Sequence, residues 1–509
     1  MLYISTLIPL FVLGQTPSNV IVNKSMKVRL DANCMISDSA NSSGISDLNG
    51  FSFAERCGVW MSANDSSGNI RLAVHDVLGT KSEFWPGPLQ PYTEISANPS
   101  NWNKTYKTSV AEVKYHRAHY NDNGYTPTAG ISAWPGSLGT PYAEVLAPFV
   151  DNEVNDKIYN PSNGDFPYLL SDETVFGISN DRYSTHAQSN SLPLGVELHT
   201  QMMGFDTPDS SLGTCVLVRY SVFNRSNRNY NNFRLSAVIN FKIGNQVNEY
   251  LGTDVVNQTL FAINDTSEAT FSNQLVSLSC MAVNKRISSS IYFENTSDPV
   301  NGMPTKDTHY VRLMRGTWKN GQPMKYGGNG VDASGSNTKF VYPYNTDASQ
   351  GGIMWSDNDR YQPGKRFGVL NFDSISLKRG EAANFDVVYF VVKENSFNIQ
   401  QISEKCLTLR GALNTRKLLK IDDIRRNKMQ STTLYPNPVK VGDKLMITGV
   451  TESITSLTLI SNSGIRIELK NFDISDNSII LPNDFSAGMY IMEIKTLNTI
   501  EHQRIIINQ

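Results

Sequence analysis

The sequence predicts an all-β protein, with a large β-sandwich region followed by a small sandwich at the C-terminal end. Two observations carry this expectation. Short runs of alternating apolar and polar residues, rich in Val, Ile, Tyr and Phe, recur between Gly, Asn, Asp and Pro turn formers. These runs follow one another with no helical periodicity between them, which points to antiparallel sheets packed face to face. At 509 residues the chain is too long for one ordinary core, so several domains are expected. Hydrophobic residues at 39% and charged residues at 18% describe a folded chain. The 45 Lys and Arg residues nearly balance 47 Asp and Glu, for a net charge of −2, so charge gives no reason to expect nucleic acid as a partner.

Residues 1–14, from Met1 to Gly14, form an apolar run that reads as a secretory signal peptide with Gln15 as the mature start. The run is too short to span a bilayer, and no later segment is apolar enough, so no transmembrane segment is expected. Residues 15–394 read as the all-β passenger, with strands such as Met26–Leu30, Asn69–Val74, Cys215–Phe223 and Phe385–Val392. That length admits two sandwich units, with a break near 200–215. Residues 395–430 read as a helical, charged connector, because Leu407, Leu409, Leu413, Leu418 and Leu419 lie among many ionic side chains. The basic run Arg425-Arg426-Asn427-Lys428 closes it. Residues 431–509 alternate again, with a turn at Ser463-Gly464, and predict an immunoglobulin-like sandwich of about seven strands. Of the five cysteines, Cys34 and Cys57 are the nearest candidates for a pair, but the odd count and wide spacing favour buried thiols.

The final segment opens with Tyr435-Pro436-Asn437-Pro438, continues through Gly442-Asp443, Leu481-Pro482 and Gly488-Met489-Tyr490-Ile491, and ends in Arg504–Ile507. In that order these motifs resemble the type A C-terminal sorting domain of cargo exported by the type IX secretion system of Bacteroidetes. The resemblance implies recognition by the type IX translocon and its surface peptidase through residues such as Tyr435, Pro436, Asn437, Pro438, Gly488 and Tyr490. It also implies attachment to lipopolysaccharide or contact with another outer-membrane protein, and a final location at the cell surface or outside the cell. The passenger carries Glu83-Phe84-Trp85-Pro86-Gly87-Pro88, Trp134-Pro135, Asn180-Asp181 and Pro193-Leu194-Gly195-Val196-Glu197. These resemble a group of secreted cargo with the same ordered motifs, and that resemblance implies no activity.

One stretch has the chemistry of a cation loop. Asp151, Glu153, Asn155, Asp156 and Asp165 place oxygen side chains at close spacing, and calcium takes six to eight oxygens at about 2.4 Å. Against this, Lys157 stands where glycine would allow a sharp turn, and an acidic surface loop held by side-chain turns accounts for the same residues. In a second loop, where the cargo proteins it resembles usually carry paired aspartates, this chain has Asn240 and Lys242, so the resemblance implies no metal there. Trp85 and Trp134, each followed by Pro-Gly, either plug the end of the core or offer rings to a glycan. Asp76, Glu83, Glu173 and Glu197 are the carboxylates a polysaccharide hydrolase could use, although nothing in their spacing marks a pair. No His-Glu-x-x-His, Gly-x-Ser-x-Gly or phosphate-loop pattern occurs. The expected function is therefore non-catalytic, in adhesion, surface structure or outer-membrane complex assembly, with glycan binding and polysaccharide hydrolysis as alternatives.

Overall fold

A computed structural model describes residues 18–38, 43–79, 81–137, 146–152, 156–206, 211–245, 247–331, 334–357, 363–416, 418, 433–448, 454–461, 465–470, 477–496 and 500–508. The signal-peptide run, the basic run at 425–428 and the turn at 463–464 lie outside these residues. The chain separates into two compact units, Met1–Arg416 and Lys417–Gln509.

The larger unit is built on two sheets. The first runs in the order Ser18–Val22, Lys27–Asp31, Ile36–Ser37, Ser52–Asn64, Tyr230–Phe241, Phe367–Phe372, Ile287–Phe293. The second runs Glu249–Asp254, Thr259–Asn264, Leu275–Ala282, Ala382–Glu394, Cys215–Asn224, Val196–Gly204, Glu173–Asn180, Trp85–Pro86. Strand pairing within both is antiparallel, as in the register Arg219↔Asp386 between Cys215–Asn224 and Ala382–Glu394. One core joins the sheets, with Val59, Met61 and Leu235 from the first meeting Val216, Val218, Leu278 and Val387 from the second. The segment near 200–215 links two neighbouring strands of the second sheet, Val196–Gly204 and Cys215–Asn224. It therefore connects strands within one sandwich and does not divide two.

The second sheet departs from simple in–out alternation. All nine residues of Val196–Gly204 are buried, because this sheet is covered on both faces. One face lies on the core shared with the first sheet, through Val196, Leu198 and Met202, and part of the other is covered by a cluster of Tyr106, Trp134, Leu146, Ala147, Phe176 and Ile178. Further along the same outer face lies the helix Ile399–Thr415, whose Ile402, Cys406, Leu409 and Leu413 are buried. That helix starts at Asn398, whose side chain accepts from Gln400 N in a capping box with Gln401. It is fastened by Ser403 Oγ to Asp254 Oδ2 (2.5 Å), Lys405 Nζ to Thr214 Oγ1 (2.8 Å) and Arg410 Nη2 to Ala282 O (2.6 Å). The residues expected to form a connector thus contribute a packed helix to the larger unit up to Arg416. All five cysteines are buried and free, Cys34 and Cys57 included.

The smaller unit is a two-sheet sandwich. Three strands, Thr433–Tyr435, Lys444–Thr448 and Ser478–Ile480, face five, in the order Val439–Lys440, Ile500–Asn508, Gly488–Thr496, Ile454–Ser461, Arg466–Leu469. Its separate core contains Leu445, Ile447, Leu457, Leu459, Met492, Ile494, Ile505 and Ile507. Residues alternate there as period two requires: Met492 and Ile494 point inward, while Ile491 is 45% exposed on the other face.

Candidate functional site

In the smaller unit the Tyr-Pro-Asn-Pro run is an edge device. Proline has no N–H, so Pro436 and Pro438 cannot donate to a sheet ladder. The Asn437 side chain supplies what they lack: its Nδ2 donates to Arg504 O (2.9 Å) and its Oδ1 accepts from Ile506 N (2.9 Å). The amide group thus imitates a peptide unit beside Ile500–Asn508. Both prolines follow cis peptide bonds. Immediately afterwards Val439 and Lys440 pair in parallel with Ile507 and Asn508. Tyr435 is 72% exposed, so its ring is presented outward. Gly488 begins the strand that pairs with Ile507. A Cβ there would meet only the Tyr490 ring at 3.8 Å, so the backbone does not demand glycine. Tyr490 packs edge-on against Phe485 and donates from its hydroxyl to Ser486 O (3.0 Å), closing the preceding turn.

In the larger unit, motifs far apart in sequence meet in one network. The Asp181 carboxylate accepts from the backbone N–H groups of Leu194 (2.5 Å), Gly195 (3.0 Å) and Val196 (2.8 Å). Asn180 Nδ2 donates to Gly87 O (2.9 Å), and Leu89 N donates to Glu197 Oε2 (2.7 Å). Glu83 accepts from Val74 N, Gln188 N and Ser189 N, with His186 Nδ1 3.4 Å away. Burial alone would raise the Glu197 carboxyl, but Arg225 and His199 outweigh it and hold it at about 2. The ordered motifs at 83–89, 180–181 and 193–197 are thus joined by buried, charge-assisted hydrogen bonds that hold loops to strands.

Of the carboxylates nominated for hydrolysis, Glu83 and Glu197 belong to that network, and Asp76 and Glu173 are engaged elsewhere. Glu83 and Glu197 are fully buried. Asp76 caps a turn through Leu78 N and Gly79 N, and Glu173 pairs with Lys107 at 2.7 Å. Trp134 is 3% exposed, donates from Nε1 to Pro148 O (3.0 Å) and packs on Phe176. Its ring therefore has no free face, and the glycan-contact expectation for Trp134 is corrected to a core plug. Trp85 is half-buried beside Tyr183, which is 52% exposed.

In the acidic loop, Asp165 is buried and its two oxygens accept from Asn152 N (2.8 Å) and Asn160 N (2.9 Å). Asp151 Oδ2 accepts from Lys157 N, and Asp156 Oδ1 accepts from Ile158 N. Lys157 takes the left-handed conformation at φ 62°, the turn for which glycine was expected. Glu153 and Asn155 lie outside the described residues. Among the described residues no group of three His, Cys, Asp or Glu side chains is arranged to hold a metal ion.

The buried pair Arg219 and Asp386 had no sequence signal. Arg219 Nε and Nη2 donate to the two carboxylate oxygens at 2.8 and 2.5 Å across adjacent strands. Only the strand register brings them together. A groove of about 390 Å³ lies elsewhere on the unit, lined by Lys24, Ser25, Asp47, Leu48, Asn49, Val391 and Lys393, away from every nominated residue.

No curated protein matches the chain. Among solved structures, one described as Polysaccharide Lyase BACCELL_00875 aligns at 9% identity over 61% of this chain, with a TM-score of 0.18. The chain spans about a third of the length of that protein, 34%. Likeness at that level bears on neither fold nor activity. Residues 433–508 match the family described as Secretion system C-terminal sorting domain. No described helix is long and apolar enough to cross a membrane. The smaller unit, with its Asn437 clasp and paired terminal strand, thus carries a type IX secretion C-terminal sorting domain, a tail that marks proteins for export across the outer membrane to the cell surface or the extracellular space.

Proposed function

We propose that the exported larger unit is a non-catalytic protein serving in adhesion, surface structure or outer-membrane complex assembly. The observation that supports this is the network at 83–89, 180–181 and 193–197. Two of the four carboxylates a hydrolase could draw on, Glu83 and Glu197, are consumed there in holding backbone N–H groups. The tail's partner is the type IX machinery, while attachment to lipopolysaccharide or to another outer-membrane protein belongs to the proposal. Cross-linking on intact cells followed by capture of the full chain is expected to recover a stable surface component. Release of reducing sugar or unsaturated product from a polysaccharide by the purified chain would overturn the reading.

Glycan recognition is a second reading, supported by Trp85 standing beside the exposed Tyr183. For the acidic loop, calcium is carried as a proposal of limited effect, because Asp165 is already satisfied by two backbone donors. Melting with calcium and with chelator is expected to differ by less than about 1 °C; a larger shift would mean that an ion contributes binding energy to the folded state.

A further inference from the structure

Two turns and one strand end meet at one end of the larger unit. The turn at 23–25 joins Ser18–Val22 to Lys27–Asp31, and the turn at 47–51 joins Ile45–Ser46 to Ser52–Asn64. The pairing Lys27↔Ser46 sets the two turns side by side. Asn23 Nδ2 donates to Cys215 O (3.0 Å) and Lys24 N to Gly213 O (3.0 Å), which ties the first turn to the second sheet. In that sheet Val391 and Lys393 lie near the end of Ala382–Glu394, opposite Leu278 and Val276. The groove of about 390 Å³ opens between these three segments.

Its walls are set before any ligand arrives. Asn23 Oδ1 accepts from Ser25 N (2.8 Å) and Met26 N (2.9 Å), and Asp47 Oδ1 accepts from Asn49 N (2.9 Å) and Phe51 N (2.8 Å). Gly50 supplies the left-handed φ of 95° that the second turn requires. The buried Asp47 carboxylate, the acid of the groove wall, is thus turned to its own backbone.

Toward water the groove is apolar and basic. Leu48 is 45% exposed on its wall, and Phe51, in the same turn, is 44% exposed. Phe51 meets Phe271 edge-on at 6.4 Å, and Lys393 Nζ stands 5.6 Å over the same Phe271 ring, so these side chains are neighbours. Lys393 is exposed and forms no ion pair among the described residues. Strand alternation sends Glu394 to the opposite face from Lys393. Lys24 enters from the first turn with its stem along Gly213, where a Cβ would stand 3.4 Å from Lys24 Cδ.

We propose that this end of the larger unit docks on a lipid surface bearing phosphate headgroups. Leu48 and Phe51 enter the acyl boundary, and Lys24 and Lys393 meet headgroups beside them. A surface offers many headgroups, so the two ammonium groups are not required to converge on one. A leucine side chain has no hydrogen-bonding group to offer a sugar, and a half-exposed one gains by leaving water for hydrocarbon. An ammonium is a point charge that suits tetrahedral phosphate, whereas planar carboxylates are matched by the guanidinium fork. None of the described residues lining the groove is an arginine. A lipid face is also what an exported chain meets at the cell surface. This inference goes beyond the assembly reading, which stands without it.

The test is flotation of the full chain with vesicles of phosphatidylglycerol, against vesicles of phosphatidylcholine, with glycerol phosphate as a soluble competitor. Binding to the anionic vesicles is expected to exceed that to the zwitterionic ones, and to fall as salt rises. Lys393→Gln is expected to weaken it about fivefold and Leu48→Ser about tenfold, at unchanged melting temperature. Either variant alone carries the test if the other fails to fold. No flotation, equal flotation with both lipids, or flotation unchanged in both variants overturns the proposal. So does complete competition by glycerol phosphate at a concentration matching the lipid headgroups, which would make the ligand a free phosphate ester. Capture of a surface protein by cross-linking, with no flotation, removes this docking surface and leaves the assembly reading standing.

Discussion

His75 shows how a buried polar residue writes its own pH dependence. Its Nδ1 accepts from Val59 N (3.0 Å) and its Nε2 donates to Asn33 O (2.9 Å), a pattern only the neutral ring can satisfy. Burial lowers its pKa from 6.5 to about 4. A base depressed in the folded state leaves the unfolded chain holding more protons between those values, so stability falls as pH drops through that window. The loss at full protonation is at most about 3 kcal/mol. Melting temperatures between pH 7 and 4 are expected to fall in the native protein and to fall less steeply in His75→Gln; parallel slopes would contradict this. Arg219 makes a different point. Removing it leaves the Asp386 carboxylate buried without its bidentate partner. Arg219→Met is expected to cost about 3–5 kcal/mol by denaturant unfolding, and Arg219→Met/Asp386→Leu to recover a large part of that.

At the scale of elements, the Tyr-Pro-Asn-Pro edge is held by one side chain. Asn437→Ala removes two hydrogen bonds from an exposed site, and the sorting domain is expected to lose about 1 kcal/mol of stability in chemical unfolding. An unchanged midpoint would show that the Val439–Ile507 pairing holds the edge alone. Alternation was readable in advance for runs such as Cys215–Phe223 and Phe385–Val392, because period two survives wherever strands pack on a core. The burial of both faces of Val196–Gly204 was not, since it depends on the first sheet and the Trp134 cluster arriving from elsewhere in the chain. Trp134 itself was ambiguous for a related reason: a tryptophan before Pro-Gly looks the same whether its ring is covered or offered. The helix Val110–His119 was missed because its aromatic and basic residues lack the apolar periodicity that marks a helix in sequence.

At the scale of the whole molecule, the two units carry separate cores. Calorimetry of the full chain is expected to show two transitions, and deletion of residues 417–509 to leave the larger one in place; a single transition lost on deletion would count against independence. The motif order in the passenger was legible, yet its meaning as a hydrogen-bonded hub was not. Asp181 and Leu194 are brought together by strand register, which sequence spacing does not report. The same register decides when the sandwich can be finished. Ala382–Glu394, the final strand of the larger unit, sits between Cys215–Asn224 and Leu275–Ala282. Until it inserts, those two neighbours present open edges towards each other, the kind of edge that invites pairing with another chain. For a polypeptide that emerges end-first from a pore, whichever end leads, the middle of this sheet cannot close until strands from distant parts of the chain are all on the same side of the membrane.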